Sequence, residues 1–312
     1  MVTREDVLNA YRFVLGREPE NSEVITIHLN FPTVKALREH FMASEEFVSS
    51  TYGLLTVGRY AERTRQEIQI DCADEELDAM LRETSRTWSQ FGEEAPHWSV
   101  LTSERYSPDN IDENIAQFYL SGVHDLQVAL NALRRAGLKA EGFERALDFG
   151  CGVGRLSMPL SSIATQVTSV DVSPGHLKLA RARAAETGVS NVDFVQLRDL
   201  RALDDFSGYD FILSLIVLQH NPPPVMAYAF RRLLRALRSG GVAVIQMPTF
   251  ISEYFSVEHY LANPTGDMEM HALPQSAIFE IISQEGCRVV EVTEDASIGA
   301  MGLSHRFTIE KL

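Results

Sequence analysis

The chain has 312 residues, 45% of them hydrophobic and 23% charged, with a formal net charge of −15. That length supports one well-buried α/β core with a smaller appendage, and no window approaches the roughly 18 consecutive apolar residues of a membrane-spanning helix. The acidic balance repels phosphate backbones over most of the surface, which weighs against a nucleic-acid substrate and for a small or neutral one.

The N-terminus, Met1-Val2-Thr3-Arg4-Glu5-Asp6, enters a polar amphipathic segment and lacks the apolar core of a signal peptide. Cys72, Cys151 and Cys287 are far apart and form neither a disulfide framework nor a zinc pattern. Both observations point to the cytoplasm. Val7, Leu8, Tyr11, Val14 and Leu15 recur at helical spacing up to Gly16, and residues 17–21 read as a turn. A second helix is expected from Thr33, its N-cap, to Phe47. We assign residues 1–55 to a small helical domain. On Tyr11-Arg12-Phe13-Val14-Leu15-Gly16-Arg17-Glu18-Pro19 and Phe41-Met42-Ala43-Ser44-Glu45-Glu46-Phe47 it resembles a helical domain of unknown function. That domain is related in pattern to phycobilisome-linker repeats and is found in bacterial surface and glycan-related proteins. The resemblance implies a protein partner recruited through these helices and an acceptor connected with glycans.

Residues 56–110 read as a charged, mostly helical connector with Leu77, Met80 and Leu81 on one stripe. Trp88 is expected to serve packing, as buried aromatics chiefly do. A helix follows from about residue 111 to 136, ended by Gly137. Residues 111–312 then form the main domain. Strands are expected at 145–149, 167–171, 192–197, 209–215, 242–247, 288–292 and 306–310, with helices at 155–163, 174–187, 225–238 and 275–285. Strands separated by helices of this length imply right-handed βαβ units and a doubly wound, mostly parallel seven-stranded sheet. The last two strands, with no helix between them, imply an antiparallel edge hairpin.

The first strand of that unit runs into Asp148-Phe149-Gly150-Cys151-Gly152-Val153-Gly154. In a doubly wound sheet this loop falls where ligands bind. Glycines let the backbone bend and a ligand approach closely, and the N-terminus of the next helix suits a carboxylate. A dinucleotide loop, G-x-G-x-x-G, would need glycine at position 155, which is Arg155. Asp148, two places before the first glycine, can instead pair with an ammonium group. Asp171 ends the second strand, where a carboxylate can accept both ribose hydroxyls. Asp199 follows the third strand and could accept from an adenine amino group. A glycine turn with acids that merely cap helices is the plainer alternative.

Residues 145–248 resemble the core of class I S-adenosylmethionine-dependent methyltransferases. Leu147 through Arg155 matches the first motif, Val170-Asp171-Val172-Ser173 the second and Arg198-Asp199-Leu200 the third. Tyr209 through Ser214 with Val217-Leu218-Gln219-His220 matches the fourth, and Leu233–Leu237 before Arg238-Ser239-Gly240-Gly241 matches the helix and turn ahead of the fifth strand. The resemblance implies a Rossmann-like methyltransferase with S-adenosylmethionine as cofactor. It places Gly150, Gly152 and Gly154 at the methionine end, Asp171 at the ribose and Asp199 at the adenine, with Asp148, Cys151, Val172 and Leu200 also in the cofactor site.

Methyl transfer to oxygen usually needs a general base, and two of the nine histidines stand near the expected acceptor. His220 follows the fourth strand, and His271 lies in the insertion after the fifth. Each has a bland alternative, a helix cap or a loop tether. Trp98, Tyr106 and Tyr119 are candidates to roof the site over a sugar ring or other flat acceptor, as are Tyr254, Phe255 and Tyr260 in an insertion hinged at Pro264 and Gly266. For each of them ordinary packing is the simpler role. Asn221-Pro222-Pro223-Pro224 lacks the spacing and the aromatic of nucleic-acid amino-methyltransferases, so its prolines are read as opening a helix. No metal ligand set is expected. The leading expectation is O-methylation of a small molecule or a sugar or glycan intermediate. N-methylation of a metabolite and a non-catalytic cofactor-binding module stand as alternatives.

Overall fold

The computed structural model describes residues 2–44, 46–47 and 66–312. The chain divides into two compact units, Met1–Thr64 with Ile298–Met301, and Arg65–Ser297 with Gly302–Leu312. The boundary drawn at residue 55 and the first part of the connector lie outside the described residues.

In the first unit a helix Arg4–Ala10 continues as one wide turn, Tyr11–Leu15. Thr3 and Asp6 form a reciprocal capping box at its start. Gly16, at φ 69°, ends it in the left-handed region that glycine enters without steric cost. A helix Ser22–His28, capped by Asn21, was not foreseen in the sequence. The helix after Thr33 spans Val34–Met42, shorter than expected. Val7, Tyr11, Ile25, Leu37 and Phe41 form this unit's core.

The second unit is built on a seven-stranded sheet. Its strands are β2 (Phe143–Phe149), β3 (Ala164–Asp171), β4 (Val192–Gln196), β5 (Tyr209–Ser214), β6 (Leu237–Phe250), β8 (Cys287–Asp295) and β9 (Leu303–Lys311). They lie in the order β4-β3-β2-β5-β6-β9-β8. All neighbours are parallel except β6–β9 and β8–β9, so the last hairpin inserts β9 between β6 and the edge strand β8. This is the expected mostly parallel, doubly wound sheet. Order reverses between β2 and β5, which puts the end of β2 at the switch point. A second sheet was not expected: β1 (Glu67–Ile68) pairs with β7 (Tyr254–Phe255) and ties residue 67 to the insertion after β6.

Two differences from the expected elements bear on the site. The helix foreseen at 155–163 is a single turn, Ser157–Leu160, because the chain stays in turns through the positive-φ Gly150, Gly152 and Gly154. No long helix therefore opens at the glycine loop. The helix Asp74–Glu94, expected as connector, packs Leu77, Met80 and Leu81 into the main core. It crosses the helix Pro174–Thr187 at Gly92, where an added Cβ would lie 2.2 Å from Ser173 Oγ. Only a residue without a side chain permits that approach.

Asp210, 3% exposed at the start of β5, fixes its neighbours electrostatically. Its Oδ2 accepts from the backbone N–H groups of Glu144 (2.6 Å) and Arg145 (2.8 Å), and its Oδ1 pairs with Arg238. Burial raises this carboxyl, but the two N–H donors and Arg238 outweigh it and hold the group below its usual 3.8. A folded-state value depressed in this way contributes stability above the unfolded value and loses it as pH falls through the folded one. Asp210→Ala is expected to destabilise this unit by about 3 kcal/mol at neutral pH. Chemical denaturation should show the gap to wild type narrowing below about pH 4. A constant gap down to pH 2 would contradict the assignment.

Candidate active site

The carboxyl ends of β2, β3, β4 and β5 open onto a cleft with about 900 Å³ of space, its mouth included. Its floor is Phe149, Gly150, Cys151 and Gly152; one side is Val170, Asp171 and Val172, and the far end Leu197 and Leu200. Gly150 has φ 77°, and a Cβ there would fall 2.2 Å from Val217 Cγ1. At Gly152, φ 52°, a Cβ would fall 2.7 Å from Val100 Cγ2. Both glycines are required twice over, by backbone conformation and by the space they leave. The buried Cys151 thiol is pushed well above its ordinary pKa by desolvation, so it is a wall and not a nucleophile.

Asp171 lines the cleft and organises the loop. Its Oδ2 accepts from the backbone N–H of Gly152, and its Oδ1 from that of Ser173, both at 2.8 Å. A carboxylate has about four lone-pair sites, so two remain for ligand hydroxyls. The other two acids are placed differently. Asp148 is 1% exposed and is not among the lining residues. Burial raises its carboxyl to about 6, and its Oδ2 accepts from Ser157 Oγ at 2.6 Å. Asp199 caps the turn Leu200–Asp205 by accepting from Arg201 N at 2.9 Å, and it too is absent from the cleft wall. Gly154 supports the loop from behind, where a Cβ would meet Met158 and Ala180.

The opposite wall comes from the helix Asp74–Glu94 and the segment after it. Thr84, Trp88, Ser99 and Val100 all line the cleft. Trp88, expected only to pack, faces His220 with ring centroids 5.0 Å apart. His176 is the other histidine here, and its Nε2 faces Ser99 Oγ (2.9 Å) and Pro96 O (3.2 Å). Trp88 was not singled out as ligand-facing because it reaches the site from a helix remote in sequence; His176 lies only five residues after Asp171, but its direction depends on the contact with Ser99 and Pro96.

A second chamber, of about 860 Å³ with its mouth, adjoins the cleft and shares Ser99, Val100, Ile216 and His220 with it. Tyr106, Arg105, Gln219, Met268 and Met270 also line it, together with residues 101–103 and Ser297. Of the expected roof residues only Tyr106 reaches it. Tyr119 is buried with its hydroxyl on Val153 O, and Trp98 packs on Phe91. Tyr254 is 62% exposed. Phe255 and Tyr260 enclose His271, with centroids 5.4 and 5.6 Å away.

The two candidate bases therefore part company. His271 is outside both cavities, with its Nε2 3.5 Å from Glu269 Oε2; burial lowers its pKa to about 4, so the ring is neutral. His220 stands on the boundary between them. Burial lowers its pKa to about 4 as well, so the ring is neutral at physiological pH. Its Nδ1 lies 3.1 Å from Glu269 O. A carbonyl only accepts, so Nδ1 carries the proton and Nε2 the lone pair. Just before it, Ile216 sits at φ 63°, a rare conformation for a β-branched residue. Such strain costs on the order of 1–3 kcal/mol and clusters at functional sites.

Comparison with known proteins fits this geometry. Residues 146–241 match the family described as Methyltransferase domain. Over these residues the chain is similar to that family, and the sheet around them has the fold of class I methyltransferases. The Ubiquinone biosynthesis O-methyltransferase of Xanthomonas axonopodis pv. citri is 35% identical over 98 residues, 31% of this chain and 40% of that protein. The protein of the same name from Erwinia tasmaniensis is 38% identical over 82 residues, 26% of this chain and 33% of its own. The chain thus spans well under half the length of these curated relatives. Among solved structures, magnesium protoporphyrin IX methyltransferase from Synechocystis, with bound S-adenosylmethionine, aligns with a TM-score of 0.51 at 17% identity, over 78% of this chain and all of that one. The N-methyltransferase NodS from Bradyrhizobium japonicum gives 0.50 at 15%, over 73% and 98%. Both likenesses concern the fold. S-adenosylmethionine is the cofactor of this domain class, and the cleft fits it: two glycines whose Cβ atoms would fill the cradle, Asp171 with free lone pairs, and an apolar far end. Among the described residues no cluster of metal-ligating side chains occurs, and no helix is long and apolar enough to cross a membrane.

Proposed function

We propose that the methyltransferase domain methylates an oxygen of a small molecule, such as a sugar or glycan intermediate, seated in the chamber beside the cleft. The observation that carries this reading is the shared wall, because the neutral imidazole of His220 borders both cavities. The bound cofactor supplies a sulfonium methyl group. In an in-line displacement that methyl group would pass to the acceptor oxygen, with the electron pair of the S–CH₃ bond left on sulfur, and His220 Nε2 would take the hydroxyl proton. Alignment is the main service of such a site, on the order of 7–11 kcal/mol in the best cases. Trp88, Val100 and Ile216 confine the junction, and Asp171 with the glycine loop anchors the donor. Arg105, the one charged residue lining the chamber among the described residues, favours an acceptor that carries a carboxylate or phosphate. His271 supports the loop of His220 by donating its backbone N–H to Gln219 O at 2.8 Å. A cytoplasmic setting and a protein partner for the N-terminal helices belong to the same proposal.

One observation favours a second reading, N-methylation: Gln219 Nε2 lies 3.1 Å from His220 Nε2, so the base is occupied until Gln219 moves. Amine acceptors need no such base. The reading as a whole is tested by incubating the full chain and Asp171→Ala with methyl-labelled S-adenosylmethionine and a bacterial small-molecule extract. Label transferred by wild type alone supports it. A wild-type chain that fails to bind the cofactor by calorimetry removes its foundation.

A further inference from the structure

We infer that Gln246 is a positioning residue that sets the proton placement on His220 through a one-way chain of four hydrogen bonds. Gln246 lies on β6, 0% exposed, 27 residues from Gln219 in sequence. Its Oε1 accepts from the backbone N–H of Ile216 at 2.9 Å. That donor is unambiguous, so it fixes which end of the Gln246 amide is oxygen. Gln246 Nε2 then donates to Gln219 Oε1 (3.0 Å) and to Ser304 Oγ (2.6 Å). Gln219 Nε2 consequently faces His220 Nε2 at 3.1 Å and donates to it. At the far end His220 Nδ1 donates to the carbonyl of Glu269. The chain begins at a backbone group that can only donate and ends at one that can only accept. Every bond between them runs in a single sense, and no amide can be turned without breaking two bonds.

The consequence is chemical. Protonated at Nε2, His220 would present a donor to the Gln219 amide donor, so the relay opposes the imidazolium and keeps Nε2 bare. Burial acts in the same direction. The groups facing His220 are few. The segment before Leu273 brings His271, which is itself neutral, and Glu269, which offers its backbone oxygen. From the helix Asp74–Glu94 comes Trp88, which does not titrate. The same Gln246 side chain holds the strained Ile216 turn, so one residue couples the shape of the cavity junction to the tautomer beside it. In the reaction an acceptor hydroxyl takes the place of the Gln219 N–H on His220 Nε2. This catalytic meaning rests on the function proposed above, whereas the proton placement does not.

The test is long-range ¹H–¹⁵N NMR of the full chain labelled in histidine, with His220 assigned by its loss in His220→Gln. In wild type at neutral pH, Nδ1 should resonate as a protonated nitrogen and Nε2 as a bare one. Gln246→Leu releases the Gln219 amide, which can turn its oxygen toward His220. The histidine should then titrate about one pH unit higher. The acid limb of turnover should move up with it, since a base with a raised pKa is lost at a higher pH. Gln219→Leu removes only the last donor and should act in the same direction, which covers the case that the first variant fails to fold. Ser304→Ala leaves the four bonds intact and should leave the His220 resonances in place. A wild-type ring protonated at Nε2, or a His220 titration unmoved in both glutamine variants, would overturn the relay. The expected spectra with no methyl transfer to any acceptor would leave the relay standing and remove the proposed function.

Discussion

Asp171→Ala is expected to weaken S-adenosylmethionine binding on the order of 10²-fold or more. Hydrogen bonds to a charged acceptor contribute about 1.5–3 kcal/mol each, and two ribose hydroxyls would lose theirs together. The change has a second effect, because the backbone N–H groups of Gly152 and Ser173 also lose their acceptor. The floor of the cleft and the start of the helix Pro174–Thr187 are then held less firmly. Asp171→Asn removes the charge but retains an acceptor for only one of the two backbone N–H groups, so its loop defect should be smaller than that of alanine. Calorimetric titration with the cofactor measures both variants, with circular dichroism to confirm the fold. An alanine variant that binds within fivefold of wild type would show that Asp171 holds the loop and does not bind the cofactor.

His220→Ala is expected to lower kcat by about 10²–10⁴-fold, the usual worth of a positioned general base. Cofactor affinity should change little, because the ring borders the cleft only at its junction with the chamber. With its pKa near 4, the wild-type base stays competent through the acidic range, so turnover should hold its plateau down to about pH 4 as far as this group decides it. Turnover of the alanine variant within tenfold of wild type, with an amine product, would establish the N-methylation reading in its place.

The glycine loop and Asp171 were legible because each lies at the end of one strand. Their chemistry depends on φ angles and side chains within a few residues. At Asp148 and Asp199 the same local patterns say less: both stand at strand ends, where one accepts from Ser157 and the other caps a turn. Spacing along the chain places a residue at the right end of the sheet but does not say which way its side chain points. The helix expected at 155–163 shortened for a related reason, since three positive-φ glycines prolong the turn before Ser157.

The sequence alone determined the sheet and the place of the glycine loop at its switch point, because alternating strand and helix periods and glycine spacing are contiguous signals. Tertiary structure decided the acceptor side. Trp88 reaches the cleft because Gly92 lets two helices touch; His220 is neutral because it is buried, and its proton sits on Nδ1 because the carbonyl of Glu269 faces that nitrogen and the Gln219 amide faces the other. Those groups are brought together by strand order across the sheet, and no local pattern in the chain announces that they will be neighbours.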